Sequence, residues 1–325
     1  MSDRTSPRST ALPTSTVGYL LAVVAGLITA VQSRVNGGLS DFLGSGVSAA
    51  LINFTVGLAL VSVLVLLVPR SRRGVVAVVT ALRTRALPWW VMIGGVFGAF
   101  FIAIQSTSVP VIGVALFSVA VVSGQTVSSL LVDRLGIGTT SGVAVTPARI
   151  IGAVGATLAV FVAVVDQWGN QASGLWLLVG LSFLAGSLVA VQQAVNGRVS
   201  ITARSAPAAT LGNFLVGAAT LVIVVGVSGS FTGSTSPINA GAPAWTYLGG
   251  IMGVTFIGIS AFTVPILGVL SFALVVIAAQ LAGALVLDVI WPATDQPVTV
   301  WLVIGAALAA SAAFIGRRRP AESTS

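Results

Sequence analysis

Apolar residues fill this chain in long blocks, separated by short stretches rich in glycine, proline, serine or arginine. Ten blocks fall near 17–36, 46–68, 89–108, 110–131, 147–165, 174–195, 207–227, 244–263, 265–287 and 298–316. A helix needs about 20 apolar residues to cross roughly 30 Å of hydrocarbon. Each block therefore predicts one transmembrane helix, and the expected fold is an all-α polytopic membrane protein.

The few polar positions inside the blocks are not scattered. The first block ends in AVQSRVNGG (30–38), which brings Gln32, Arg34 and Asn36 together, and AVQQAVNGR recurs at 190–198. Aligning 25–40 with 185–200 gives nine identities in sixteen at an offset of 160. LINFTVG (51–57) matches LGNFLVG (211–217) at the same offset. The offset then becomes 155. Trp90, Gly94 and Gly95 match Trp245, Gly249 and Gly250, and VPVIGVALF (109–117) matches VPILGVLSF (264–272). Gln125 matches Gln280, and Asp133 matches Asp288. Matched Asn, Gln, Pro, Trp and Asp in one order argue for a true internal repeat.

Each copy holds five spans, an odd number, so the second must enter the membrane from the opposite side. The expected architecture is ten transmembrane helices as two inverted five-helix repeats, 17–165 and 174–316. An outer linker (166–173) joins them, flanked by a disordered cytoplasmic tail (1–16) and a basic one (317–325). Inverted repeats are a recurring plan of secondary transporters, with the substrate site between the halves near mid-membrane.

Composition narrows the class. Hydrophobic residues make up 56% of the chain, charged residues 7%, and mean hydropathy is +1.07. A soluble domain carries about a quarter charged residues, so this chain cannot cover a water-soluble globule. The net charge of +8 comes from arginine alone. With the N-terminus inside, fourteen of the fifteen arginines fall in inner segments and only Arg34 lies outside, which fits the positive-inside rule. Both termini are thus expected in the cytoplasm and the chain in a bacterial-type inner membrane. Arg4 and Arg8 before an apolar run resemble a signal peptide, but the run is long for one and lacks a small-x-small cleavage site. The loops at 69–88 and 228–243 read as connections without a fold of their own. The seven tryptophans, Trp168 among them, sit near predicted helix ends, where the indole N–H can stay in the headgroup layer.

Cysteine and histidine are absent. That removes disulfides, thiol chemistry, histidine relays and the usual zinc or haem ligation. No nucleotide-binding G-x-x-x-x-G-K-[ST] loop occurs, and no catalytic constellation stands out, so no enzyme activity, cofactor or metal is expected. The basic charge lacks the basic face of a soluble nucleic-acid binder. The expected partners are the lipid bilayer and a small-molecule substrate, with a homodimer left open.

Polar groups in lipid face the bundle interior or an aqueous path. Gln32 and Asn36 share a helix face, as do Gln192 and Asn196. They either line a pathway or bond across helices, with Asn-Gly ending the helix. Gln125 and Gln280 lie deeper and are further pathway candidates, as is Gln105, which precedes Pro110 and whose counterpart is Ser260. Asn53 and Asn213 suit interhelical packing. Pro110 and Pro265 are expected at the first turn of their helices. Arg34 either snorkels to headgroups or sits in an outer vestibule, with Asp41 as a partner. Asp133 and Asp288, at span ends, are the carboxylates available for vestibule or coupling roles, since none lies at mid-depth.

Q-x-x-x-N-G closing the first span of each half, N-F-x-x-G in the second, and the five-plus-five plan resemble the drug/metabolite transporter superfamily. Within it the chain is most similar to the YdcZ-type group of inner-membrane exporters, over roughly 17–316. The resemblance implies a helical bundle that exports small metabolites or drugs by alternating access. Readings outside that resemblance are a permease subunit dependent on a separate ATPase and a non-transport membrane scaffold.

Overall fold

The computed structural model describes residues 14–137, 146–167, 173–228, 241–295 and 297–316. Residues 1–13 and 317–325 of the tails, 168–172 with Trp168, and 229–240 of the long connection lie outside the described residues. The described chain is helical: α1 (Thr14–Leu43), α2 (Gly46–Leu67), α3 (Pro69–Arg83), α4 (Gly94–Arg134), α5 (Pro147–Ala163), α6 (Ser173–Ala203), α7 (Ala206–Ser228), α8 (Gly249–Leu267), α9 (Val269–Ile290) and α10 (Val300–Gly316). Short 3-10 turns lead into α4 and α8 at Trp89–Ile93 and Ala244–Leu248. Seven helices among the described residues are long and apolar enough to cross a bilayer, and α5 and α10 are shorter apolar helices. The chain is a multi-pass membrane protein.

Three expectations need correction. The segment 69–88 is not a bare loop, because Pro69 opens α3 at its first turn. The helix buries Ser71, Gly74 and Val78 and exposes Arg70, Arg72, Arg73 and Arg83. Spacings of three and four put its small residues on one face, against Ala203 of α6 and Ala208 of α7. Second, Asn-Gly does not end a helix in either copy. Both α1 and α6 run on for about two turns past Asn36-Gly37 and Asn196-Gly197, since neighbouring helices cover those amides.

Third, the break in each VP-x-x-G-V motif lies at glycine, not proline. Gly113 (φ 79°, ψ 168°) interrupts α4, and Gly268 (φ 78°, ψ 156°) separates α8 from α9. Positive φ strains any residue with a Cβ, so the glycine takes the turn while Pro110 stays inside the helix. The chain folds back there. Phe101 and Phe117 have ring centroids 6.0 Å apart, and Phe256 and Phe272 6.2 Å. A straight helix would separate residues 16 apart by about 24 Å. Two predicted spans thus form the two arms of α4, a hairpin with a single-residue apex.

The two halves interlock through small residues. Gly152 of α5 packs on Ala312 and Gly316 of α10, while Gly305 of α10 packs on Ala159 and Ala163 of α5. The start of one helix meets the end of the other, so they lie antiparallel. Phe54 of α2 covers Gly217 of α7, and Phe214 of α7 covers Gly57 of α2. Gly26 of α1 meets the Val276 carbonyl in α9, and Gly186 of α6 meets the Val121 carbonyl in α4. Small residues allow such backbone approach where lipid offers helices no hydrophobic drive to associate.

The interlocking is tighter at one end. Gly37 of α1 touches Val109 and Pro110, but the matched Gly197 of α6 meets nothing within 4 Å. The hairpin of α4 packs on α1, α2, α5, α6, α7, α9 and α10, whereas the α8–α9 hairpin is seated chiefly on α1 and α2, with α9 also against α4. It stands largely clear of α6 and α7.

Candidate functional site

Two clusters of amides lie at opposite ends of the bundle. The first arm of α4 runs from Gly94, beside Asn196, to Val109, beside Gly37, a rise of about 22 Å.

At the Arg34 end the cluster is closed and buried. Asn53 Nδ2 donates to Asn36 Oδ1 (2.8 Å), and Asn36 Nδ2 donates to Gln105 Oε1 (2.6 Å). Gln105 Nε2 donates to Ser33 Oγ (2.9 Å), whose hydroxyl donates to the Thr29 carbonyl (3.0 Å). Gln32 Nε2 reaches across the halves to the Gly249 carbonyl at 2.8 Å. Gln32, Ser33, Asn36, Asn53 and Gln105 are all buried, so each amide needs these partners. A Cβ at Gly249 would collide with Asn36 Oδ1 and Asn53 Nδ2; glycine there lets the two amides meet against the α8 backbone.

The matched cluster at the other end is looser. Gln192 Nε2 and Asn196 Nδ2 both donate to Asn213 Oδ1, each at 3.2 Å. All three residues are partly exposed. Gly94 and Gly98 receive Asn196 and Gln192 as Gly249 and Gly253 receive Asn36 and Gln32. The α1 and α6 amides therefore each pack on the third span of the other half.

Each cluster is capped by arginine on tryptophan. Arg34 donates from Nε to the Trp291 carbonyl (3.1 Å) and lies 4.9 Å from the Trp291 ring and 5.8 Å from the Trp245 ring. Its hydrogen-bond acceptor is that carbonyl, and the Asp41 carboxylate lies close enough for the two charges to interact. At the opposite end Arg198 stands 5.4 Å from the Trp90 ring. Trp90 and Trp245 are repeat partners, but the two arginines are not. Arg198 aligns with Gly38, and Gly38 packs on Trp245 beside the Arg34 guanidinium. The first half thus supplies its cation from one turn earlier on the helix.

Asp288 accepts from the backbone N–H groups of Val114 (2.9 Å) and Ala115 (2.7 Å), the first residues after the Gly113 apex. It caps the free N-terminus of the second arm of α4, where a carboxylate satisfies orphan donors and complements the helix dipole. It lies close enough to the Arg34 guanidinium for the two charges to interact.

Gln125 and Gln280 do not hydrogen-bond into either cluster among the described residues. Gln280 is buried where α9 meets Gly26 of α1, and Gln125 is half-buried, following Gly124, which packs on the Phe183 carbonyl of α6. The Asp133 side chain lies outside the described residues. Among the described residues no cluster of three or more His, Cys, Asp or Glu could hold a metal. Sequence reasoning missed Ser33, the receiving glycines and the Trp245–Trp291 clamp, whose rings meet edge to face at 4.7 Å. The signal for Ser33 was available, because it lies beside Gln32 in the repeated motif.

Comparison with known proteins places this arrangement. One solved structure, described only as "Crystal structure of protein", is similar at 21% identity with a TM-score of 0.52. The likeness covers 93% of this chain and 96% of that chain, and it concerns the fold. No curated protein matches. The family model described as "Putative inner membrane exporter, YdcZ" matches residues 17–162 and 177–315, the two stretches whose glycines and amides interlock. The chain belongs to this YdcZ family of inner-membrane exporters.

Proposed function

We propose that the chain is a secondary transporter that exports a small metabolite or drug-like molecule by alternating access between two inverted five-helix halves. The observation that carries this reading is reciprocity: glycines and amides of each half pack on the matched positions of the other, with matched helices antiparallel. Two near-equivalent halves can exchange conformations, which opens a shared site first to one side and then to the other. The ten spans would be α1, α2, the two arms of α4, and α5 to α10.

The arginine distribution puts the Arg34 end outside and the Arg198 end in the cytoplasm. The tight Arg34 cluster and the parted α6 and α8 then correspond to a state closed outside and opening inside. Gln32, Asn36, Gln105, Gln192 and Asn196 line the pathway or its gates, with Asn53 and Asn213 as their supports and Gln125 and Gln280 along its walls. Asp288 acts as a gate cap, and Asp133 is its counterpart in the repeat.

The test is transport by the purified chain in liposomes, using solutes that accumulate in cells lacking the protein. Counterflow without ATP is the expected result. Flux that needs ATP and a second protein overturns the reading.

A further inference from the structure

We propose that Gln192, Gln193 and Asn196 of α6, together with Ser260 of α8, which holds the place of Gln105 in the repeat, form the substrate site, and that it takes a neutral carboxamide-type group. The inference rests on the transport reading and names the substrate class of that transporter.

At the Arg34 end the Gln105 carboxamide is held as a ligand would be: its carbonyl accepts from Asn36, and its NH2 donates to Ser33. The repeat offers the same surroundings at the other end, with Asn196 for Asn36 and Gln193 for Ser33. The residue that matches Gln105 is Ser260, which ends one atom beyond Cβ. The second half therefore supplies no carboxamide at that position.

The geometry agrees. Asn196 spends one N–H on Asn213 and keeps a second, while the Gln192 carbonyl is left over. Gln193 is exposed, Ser260 is partly exposed, and neither makes a hydrogen bond among the described residues. Gly197, next to Asn196 on α6, has open space where a Cβ would stand. A carboxamide arriving here could accept from Asn196 and donate to Gln193 or Ser260, and closing α8 onto α6 would enclose it as Gln105 is enclosed. Charge selects the neutral form. The cluster holds amides and a hydroxyl, and the neighbouring Arg198 is placed on Trp90. An ionised carboxylate would give up its hydration without a dedicated counter-charge, whereas an amide matches the donors and acceptors present.

Nicotinamide and nicotinate, nearly isosteric, are suitable probes for the full chain in nanodiscs, with binding read by calorimetry. Saturable nicotinamide binding at least tenfold tighter than nicotinate binding is expected. Ser260→Gln inserts the chain's own carboxamide and should weaken nicotinamide binding at least tenfold. If Ser260→Gln fails to fold, Gln193→Leu is the second variant, with the same direction of loss. Nicotinate binding as tight as nicotinamide, no saturable binding, or full binding in a folded Ser260→Gln protein overturns the proposal. Liposome counterflow separates the two readings. Counterflow of other solutes without nicotinamide binding removes the carboxamide class alone, and binding without any counterflow removes the transport reading.

Discussion

Phe54 and Phe214 occupy matched positions 160 residues apart in the sequence, and their rings meet each other with centroids 5.1 Å apart, tilted by 51°. Each ring also fills the notch left by the other helix's glycine, Gly217 for Phe54 and Gly57 for Phe214. Replacing either with alanine should cost about 3–5 kcal/mol through lost packing and a residual cavity. The double variant should lose clearly less than the sum, because both single changes remove the same contact. Thermal unfolding in one detergent across the four proteins measures this; strict additivity would show that the rings act independently.

The buried amides predict a sharp contrast among glutamines. Gln105→Ala leaves the buried Asn36 NH2 without its acceptor, and should destabilise the protein by about 1–3 kcal/mol. Gln125→Ala, at a half-buried position outside the network, should change stability by about 0.5 kcal/mol or less. Unfolding midpoints of the two variants test the ordering.

Glycines in helices should respond according to what faces them. Gly249→Ala drives a Cβ into Asn36 and Asn53, and Gly94→Ala drives one into Asn196. Both variants should lose stability, Gly249 the more, since its receiving cluster is the more tightly bonded. Gly226 in α7 faces open space, so Gly226→Ala should be neutral or stabilise the helix by up to about 1 kcal/mol. The same melting assay checks all three.

The hairpin apex separates glycine from proline. Gly113→Ala forces a Cβ into positive φ and against the Asp288 carboxylate, and should cost about 1–2 kcal/mol or more. Pro110→Ala restores a helical N–H donor and should be tolerated far better. A Pro110 variant that unfolds more readily than the Gly113 variant would move the critical turn back to the proline.

Much of this fold was legible in the sequence because membrane spans announce themselves by length and hydropathy, and because Asn, Gln and Trp recur in fixed order. What escaped was set by backbone approach. Nothing in Gly113 distinguishes it from the many other glycines until its φ is known. The α3 helix was hidden because a short amphipathic element carries no span signal. The Arg34 site stayed ambiguous for another reason: its clamp comes from Trp245 and Trp291, more than 200 residues away, and its counterpart Arg198 is displaced by one turn in the alignment.

Cysteine labelling can follow the difference between the two ends, since the chain has no native cysteine. Gly197→Cys should react with a soluble maleimide at least tenfold faster than Gly37→Cys, whose site is pressed against Val109 and Pro110. Membrane-impermeant reagent should reach positions 36 and 196 from opposite faces of the membrane. Equal rates at 37 and 197, or labelling of both asparagine positions from one face, would contradict the arrangement.

Gly152 receives α10 just as Gly305 receives α5, so the fifth helix of one half already carries both the notch and the ridge that fills it. A gene encoding such a half alone would specify a protein able to recognise an upside-down copy of itself. Joining two of these genes end to end would alter connectivity while leaving every contact in place. Fusion would also free the copies to differ, and Gln105 against Ser260 and Gly38 against Arg198 are positions where the two halves of this chain do differ.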